Sequence, residues 1–131
     1  LARKLTRKGL IKKLDQVFSE FIRTRTADKN GIVSCVTCGK KDHWKAMDCG
    51  HFVSRKHYAT RWHEDNCAVQ CKSCNVFRYG EQYKFSLHLG ASKSEELYQL
   101  SKQTAKFMDQ DLIELIEKYK SIVADQKKAL I

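Results

Sequence analysis

Residues 35–80 read CVTCGKKDHWKAMDCGHFVSRKHYATRWHEDNCAVQCKSCNVFRYG. Two Cys-x-x-Cys pairs, Cys35/Cys38 and Cys71/Cys74, bracket a segment that holds Asp48, His51, His57, His63 and Asn66; Asn75 follows the last cysteine directly. Paired knuckles of this kind supply four thiolates to one tetrahedral zinc. Four thiolates leave no open coordination position, so the expected zinc is structural and any chemistry must come from the bracketed loop. The 32 residues between Cys38 and Cys71 exceed the roughly 15–20 of a simple zinc ribbon, so the loop must hold a folded insert.

Outward from this centre, the apolar positions Leu10, Ile11, Leu14, Val17, Phe18, Phe21 and Ile22 predict an amphipathic helix over residues 5–24. Lys8, Lys12, Lys13 and Arg23 fall on its polar side. Residues 26–31 read as a turn and Ile32–Val36 as a strand entering the first knuckle. Residues 40–45 read as a polar turn, Ala46–Val53 as a strand, and 54–65 as irregular. From Asn66 through the second knuckle the reading is a short helix ending near Gly80. Tyr83–Leu89 reads as a helix stopped at Gly90, Ser92 and Glu95 as a capping box opening a helix to about Lys106, and Asp109 as the N-cap of a last helix. That helix carries the stripe Leu112, Leu115, Ile116, Tyr119, Ile122 and Val123. The expected fold class is α+β: a small zinc-stapled core flanked by an N-terminal helix and C-terminal helices. The expected division is 1–90 for helix and core, and 91–131 for a helical extension that either packs on the first helix or forms a homodimer contact.

Net charge is +10 over 131 residues, and all of the excess lies in the first 90. Residues 91–131 hold seven Lys/Arg against seven Asp/Glu. A basic face of this kind favours a polyanion, most simply nucleic acid, the alternative being a solvated basic surface kept for solubility. No apolar run reaches the roughly 18 residues of a membrane span, and no segment resembles a secretory signal. The paired cysteine spacing therefore indicates metal in a reducing cytoplasm rather than disulfides. Cys49 and Cys67, outside the knuckles, read as small core residues. The chain opens at Leu1 rather than Met, so upstream residues are expected.

Within the loop, Asp48-Cys49-Gly50-His51 lies on the predicted strand. Asp48 and His51 would point to opposite faces unless Gly50 permits a bulge. A carboxylate and an amide oxygen, from Asp48 and Asn75, are hard ligands suited to Mg²⁺ or Mn²⁺. A neutral imidazole takes a proton from water near pH 7. Together these residue types suit metal-assisted hydrolysis of a phosphodiester. Arg55, Lys56 and Arg61 are the expected phosphate contacts, with Lys8 and Lys12 along the first helix. Trp62 reads as a core anchor beneath the loop.

The combination of Cys-x-x-Cys, a strand ending in His, a later Asn and Cys-x-x-Cys-Asn resembles the zinc-bound HNH (ββα-metal, His-Me finger) nucleases. More closely, MDCGHFVSR, ATRWHEDN and QCKSCN, preceded by an amphipathic helix running into CVTCG, resemble the NinG/Rap family of phage recombination endonucleases. The resemblance implies an HNH endonuclease acting on branched DNA such as D-loops and four-way junctions, in a bacterial host cytoplasm. It implies His51 as general base, Asn66 as the brace of the loop, Asn75 as a metal ligand, and Asp48 as the carboxylate ligand. In many HNH enzymes an Asp directly precedes the base; here that position is Gly50. Three alternatives stay open at this point: a zinc-ribbon DNA-binding module without catalysis, a general HNH nicking or restriction nuclease, and an RNA-directed nuclease.

Overall fold

The computed structural model describes residues 4–131. Helix α1 (Arg7–Thr24) opens at Thr6, whose hydroxyl accepts the Gly9 N–H at 3.1 Å, the interaction that favours a hydroxyl side chain at an N-cap. Strands β1 (Ile32–Ser34) and β2 (Lys41–His43) form an antiparallel hairpin across the first knuckle. A 3₁₀ turn at Trp44–Ala46 leads into β3 (Asp48–His51). A short helix α2 (Tyr58–Arg61) and a 3₁₀ turn at Glu64–Asn66 precede β4 (Cys67–Gln70), which pairs antiparallel with β3. The second knuckle then winds a π-helical turn at Ser73–Phe77, and α3 (Gln82–Leu89), α4 (Ala91–Ser101) and α5 (Asp109–Lys128) complete the chain. The fold class is α+β, two small antiparallel sheets set among helices.

Two cores hold it. In the first, α1 buries Leu14, Phe18 and Ile22 against Leu112, Ile116, Tyr119 and Val123 of α5, with Trp62 and Cys67 beneath. Tyr119 sits edge-on to Phe18 at 5.0 Å and 4.8 Å from Phe21, the geometry in which aromatic quadrupoles attract. The α5 stripe thus packs on α1 within the chain. The second core gathers Val33, Trp44, Met47 and Val69 around the knuckle cysteines. The first knuckle is tied to β4 by Val36 N–H donating to the Val69 carbonyl at 2.8 Å.

Several local expectations are corrected. Lys41–His43 is a strand, not a turn, because the hairpin ladder Ile32↔His43 to Ser34↔Lys41 draws it in. Cys67–Gln70 is a strand, not the start of a helix; it provides the pairing edge for β3. The strand expected over 46–53 is confined to Asp48–His51, because a 3₁₀ turn takes up Trp44–Ala46. The β3–β4 register runs residue for residue through Gly50, so there is no bulge. Gly50 is required for another reason: a Cβ there would stand 2.0 Å from Gln70 Oε1, which lies across it. Helix α4 opens at Gly90, whose φ of +87° turns the chain between α3 and α4, and not at a Ser92 box; it ends at Ser101. The cap of α5 is Met108, whose N–H donates to Asp111 at 2.8 Å, while Asp109 pairs with Arg7 at 3.0 Å. No helix among the described residues is long and apolar enough to cross a membrane.

Candidate metal centre and nucleic-acid cleft

The four knuckle cysteines converge. The Sγ atoms of Cys35, Cys38, Cys71 and Cys74 all lie within 4.8 Å of one another, and Cys38 Sγ is 3.7 Å from Cys71 Sγ. At a Zn–S bond of about 2.3 Å, a regular tetrahedron sets its sulfurs about 3.8 Å apart. The donor set therefore fits zinc. Metal-free, the crowded thiols cannot ionise alike. Burial raises Cys35, but hydrogen bonds from Thr37 and neighbouring backbone N–H groups outweigh it and bring the thiol down to about 6. Burial pushes Cys74 up to about 12.

Beside the knuckles lies a cleft of about 890 Å³ whose walls include Asp48, Cys49, His51, Arg55, Lys72 and Asn75. Asp48 and His51, three residues apart on β3, both line this cleft without any bulge. The turn that bears Asn75 starts inside the second knuckle, and Asn75 donates its Nδ2 to Asp48 Oδ2 at 3.0 Å. Lys72 Nζ holds Asp48 Oδ1 at 2.8 Å; its side chain is 68% exposed.

His51 Nε2 stands 3.1 Å from the carbonyl of Arg61. A carbonyl only accepts, so this contact assigns the proton to Nε2 and leaves the Nδ1 lone pair available. Burial holds the imidazole below its usual pKa, outweighing the Arg61 carbonyl, which acts in the opposite direction. The ring is accordingly neutral at pH 7. Asn66 is fully buried and spends its amide on the loop: it accepts the Val53 N–H at 2.8 Å and donates to the Val53 and Thr60 carbonyls, each at 3.1 Å. It thus clips together both ends of the segment between His51 and Arg61.

Among the expected phosphate contacts, Arg55 is exposed and lines the cleft. Lys56, Lys8 and Lys12 are exposed but stand outside its walls. Arg61 is only 15% exposed, and its guanidinium grips the Asp15 carboxylate through two nitrogens, so its charge is committed inside the protein. Trp62 is in the core as read, its Nε1 donating to Asp15 at 2.9 Å. His63 caps the 3₁₀ turn by accepting the Asp65 N–H.

Four further residues contribute to the site. Asp15 anchors Arg61 and Trp62, and through Arg61 the carbonyl that orients His51. Lys72 neutralises Asp48. Arg23 and Lys45 extend the basic wall. The signal for the α1 residues was present: Asp15, Ser19 and Arg23 recur every fourth residue, a polar stripe beside the apolar one, and all three line the cleft.

Among known proteins, the profile of the family described as Bacteriophage Lambda NinG protein matches residues 2–129. No curated protein and no solved structure matches the chain. Since the family match takes in almost the whole sequence, this chain belongs to the bacteriophage lambda NinG protein family.

Proposed function

We propose that this NinG-family chain is a divalent-metal-dependent DNA endonuclease of the HNH (ββα-metal) kind, hydrolysing phosphodiester bonds in branched recombination intermediates such as D-loops and four-way junctions. The observation that carries the proposal is the contact of Asp48 with Asn75 in the same basic cleft as His51. The plan of β3, β4 and the turn bearing Asn75 supports it, as a ββα unit clamped by the four cysteines.

Asp48 and Asn75 offer hard oxygen donors, and a Mg²⁺ or Mn²⁺ held there would polarise the scissile phosphate and offset its developing charge. His51 takes the proton of the attacking water on Nδ1, with Nε2–H anchored on the Arg61 carbonyl. Asn66 keeps that carbonyl in place by fixing the loop, and Asp15 does so from below by holding the Arg61 side chain. Lys72 leaves Asp48 at small cost, because an exposed ion pair is worth at most about 1 kcal/mol. Lys72, Arg55, Lys45 and Arg23 then face the nucleic-acid backbone across the cleft. Lys56, Lys8 and Lys12 extend the contact beyond it. The working compartment is the host cytoplasm, where thiols stay reduced and a four-cysteine zinc persists.

The test is cleavage of matched linear duplex, single strand, D-loop and four-way junction with Mg²⁺ or Mn²⁺. Preferred cutting of the branched substrates supports the proposal. Equal cutting of linear duplex would favour a general nicking nuclease. Binding without cleavage under either metal would favour a zinc-ribbon DNA-binding module.

A further inference from the structure

We propose that Cys49, His51 and Cys67 form a second cation site, selective for a soft divalent ion such as Zn²⁺, and that filling it shuts down the base. The inhibitory half of this inference rests on the nuclease reading above; the binding half does not. The β3–β4 register sets His51 opposite Cys67 and Cys49 opposite Val69, so the three side chains share one face of the hairpin. One ligand atom from each lies within 4.8 Å of the other two. Neither cysteine belongs to a knuckle. Cys67 is 1% exposed, while Cys49 is half-buried and lines the cleft with His51, which gives an ion its way in.

Two thiolates and an imidazole are a zinc donor set, and three protein ligands leave the fourth position open to water or to a phosphate oxygen in the cleft. Soft sulfur donors select Zn²⁺ over Mg²⁺, so this site and the Asp48–Asn75 pair answer to different ions. Binding releases both thiol protons. A neutral imidazole has one lone pair. Once either ring nitrogen spends it on the ion, the other carries the proton, and none remains to take a proton from water. Free zinc would thus silence the cleft without touching the knuckles.

The experiment uses the full chain loaded with its structural zinc, under a phosphine reductant that keeps Cys49 and Cys67 from forming a disulfide. Dialysis against buffered free Zn²⁺ followed by elemental analysis should find a second zinc per chain, and the His51 ring signals in ¹H–¹⁵N spectra should move with it. Added Co²⁺ should give a thiolate-to-cobalt charge-transfer band. Cys49→Ser, at the half-buried position, should lose the second zinc and the band while keeping the first. Cys67→Ala should do the same. In a Mg²⁺ cleavage assay, Zn²⁺ should inhibit the wild type, and Cys49→Ser should need at least tenfold more. A wild type that stays at one zinc per chain, or a Cys49→Ser variant that still takes the second, overturns the site. A second zinc that leaves the His51 signals and the cleavage rate unchanged overturns the inhibition. If no condition supports cleavage, the nuclease reading fails, while the zinc count and the His51 signals still decide the site.

Discussion

Replacing Asn66 by alanine isolates the loop clip from the chemistry it serves. The side chain is fully buried and makes three hydrogen bonds, to Val53 N–H, Val53 C=O and Thr60 C=O. Each is worth about 1 kcal/mol net, and orphaning the Thr60 carbonyl in a buried place adds on the order of 1 kcal/mol more. The expected loss is therefore about 3–4 kcal/mol. At roughly 3–5 °C per kcal/mol for a chain of this size, Tm should fall by about 9–20 °C. Asn66→Asp keeps the acceptor for Val53 but loses both donors and buries a charge, so it should cost at least as much. The assay is thermal denaturation of the zinc-loaded protein, followed by cleavage measured well below both midpoints. Under those conditions Asn66→Ala should still be folded yet cleave at least tenfold more slowly, because the Arg61 carbonyl no longer holds His51. A Tm within about 2 °C of wild type, with an unchanged rate, would refute the clip.

Cleavage should depend on pH with an acid limb below 6.5, because burial lowers the His51 pKa and the base must be neutral. The sign for stability is the same: the unfolded chain binds the proton more readily, so the His51 contribution is full above 6.5 and is lost as pH falls through the folded pKa, as urea midpoints across pH would record. Lys72→Ala should tighten Mn²⁺ binding in the absence of DNA, read by the electron-spin signal of free Mn²⁺, because Asp48 Oδ1 loses its resident cation; weaker binding would contradict the assignment. Cys35→Ser or Cys74→Ser should lose zinc and most of the fold, since binding energy at a closed thiolate site is folding energy. Folded wild-type protein with about no zinc by elemental analysis would contradict this.

Elements whose signal is local were legible in the sequence. The four cysteines declare themselves by spacing, and α1 and α5 by their apolar period. Short strands were not. Lys41–His43 is entirely polar, and Cys67–Gln70 hides its pairing role between Asn66 and the second knuckle; both are strands because a partner elsewhere offers a ladder. Chain punctuation was misplaced by a residue or two: α4 opens at Gly90, set by its positive φ, and α5 at Met108, whose N–H the Asp111 side chain holds. Asp48, His51, Asn66 and Asn75 stood out in the sequence by type and order, but that Asp48, His51 and Asn75 line one cleft needed the fold. Arg61 and Asp15 show the limit most clearly. Their pairing spans 46 residues, and nothing local in the sequence announces it.

The central claim is that His51 is the base of a metal-dependent nuclease, and the direct measurement is single-turnover cleavage of a four-way junction in Mg²⁺ by wild type and His51→Ala, with junction affinity measured alongside. The wild type should cut. His51→Ala should bind the junction with nearly unchanged affinity and cut on the order of 10²–10⁴-fold more slowly, the usual share of a general base. A His51→Ala protein that binds and cuts at the wild-type rate would contradict the account.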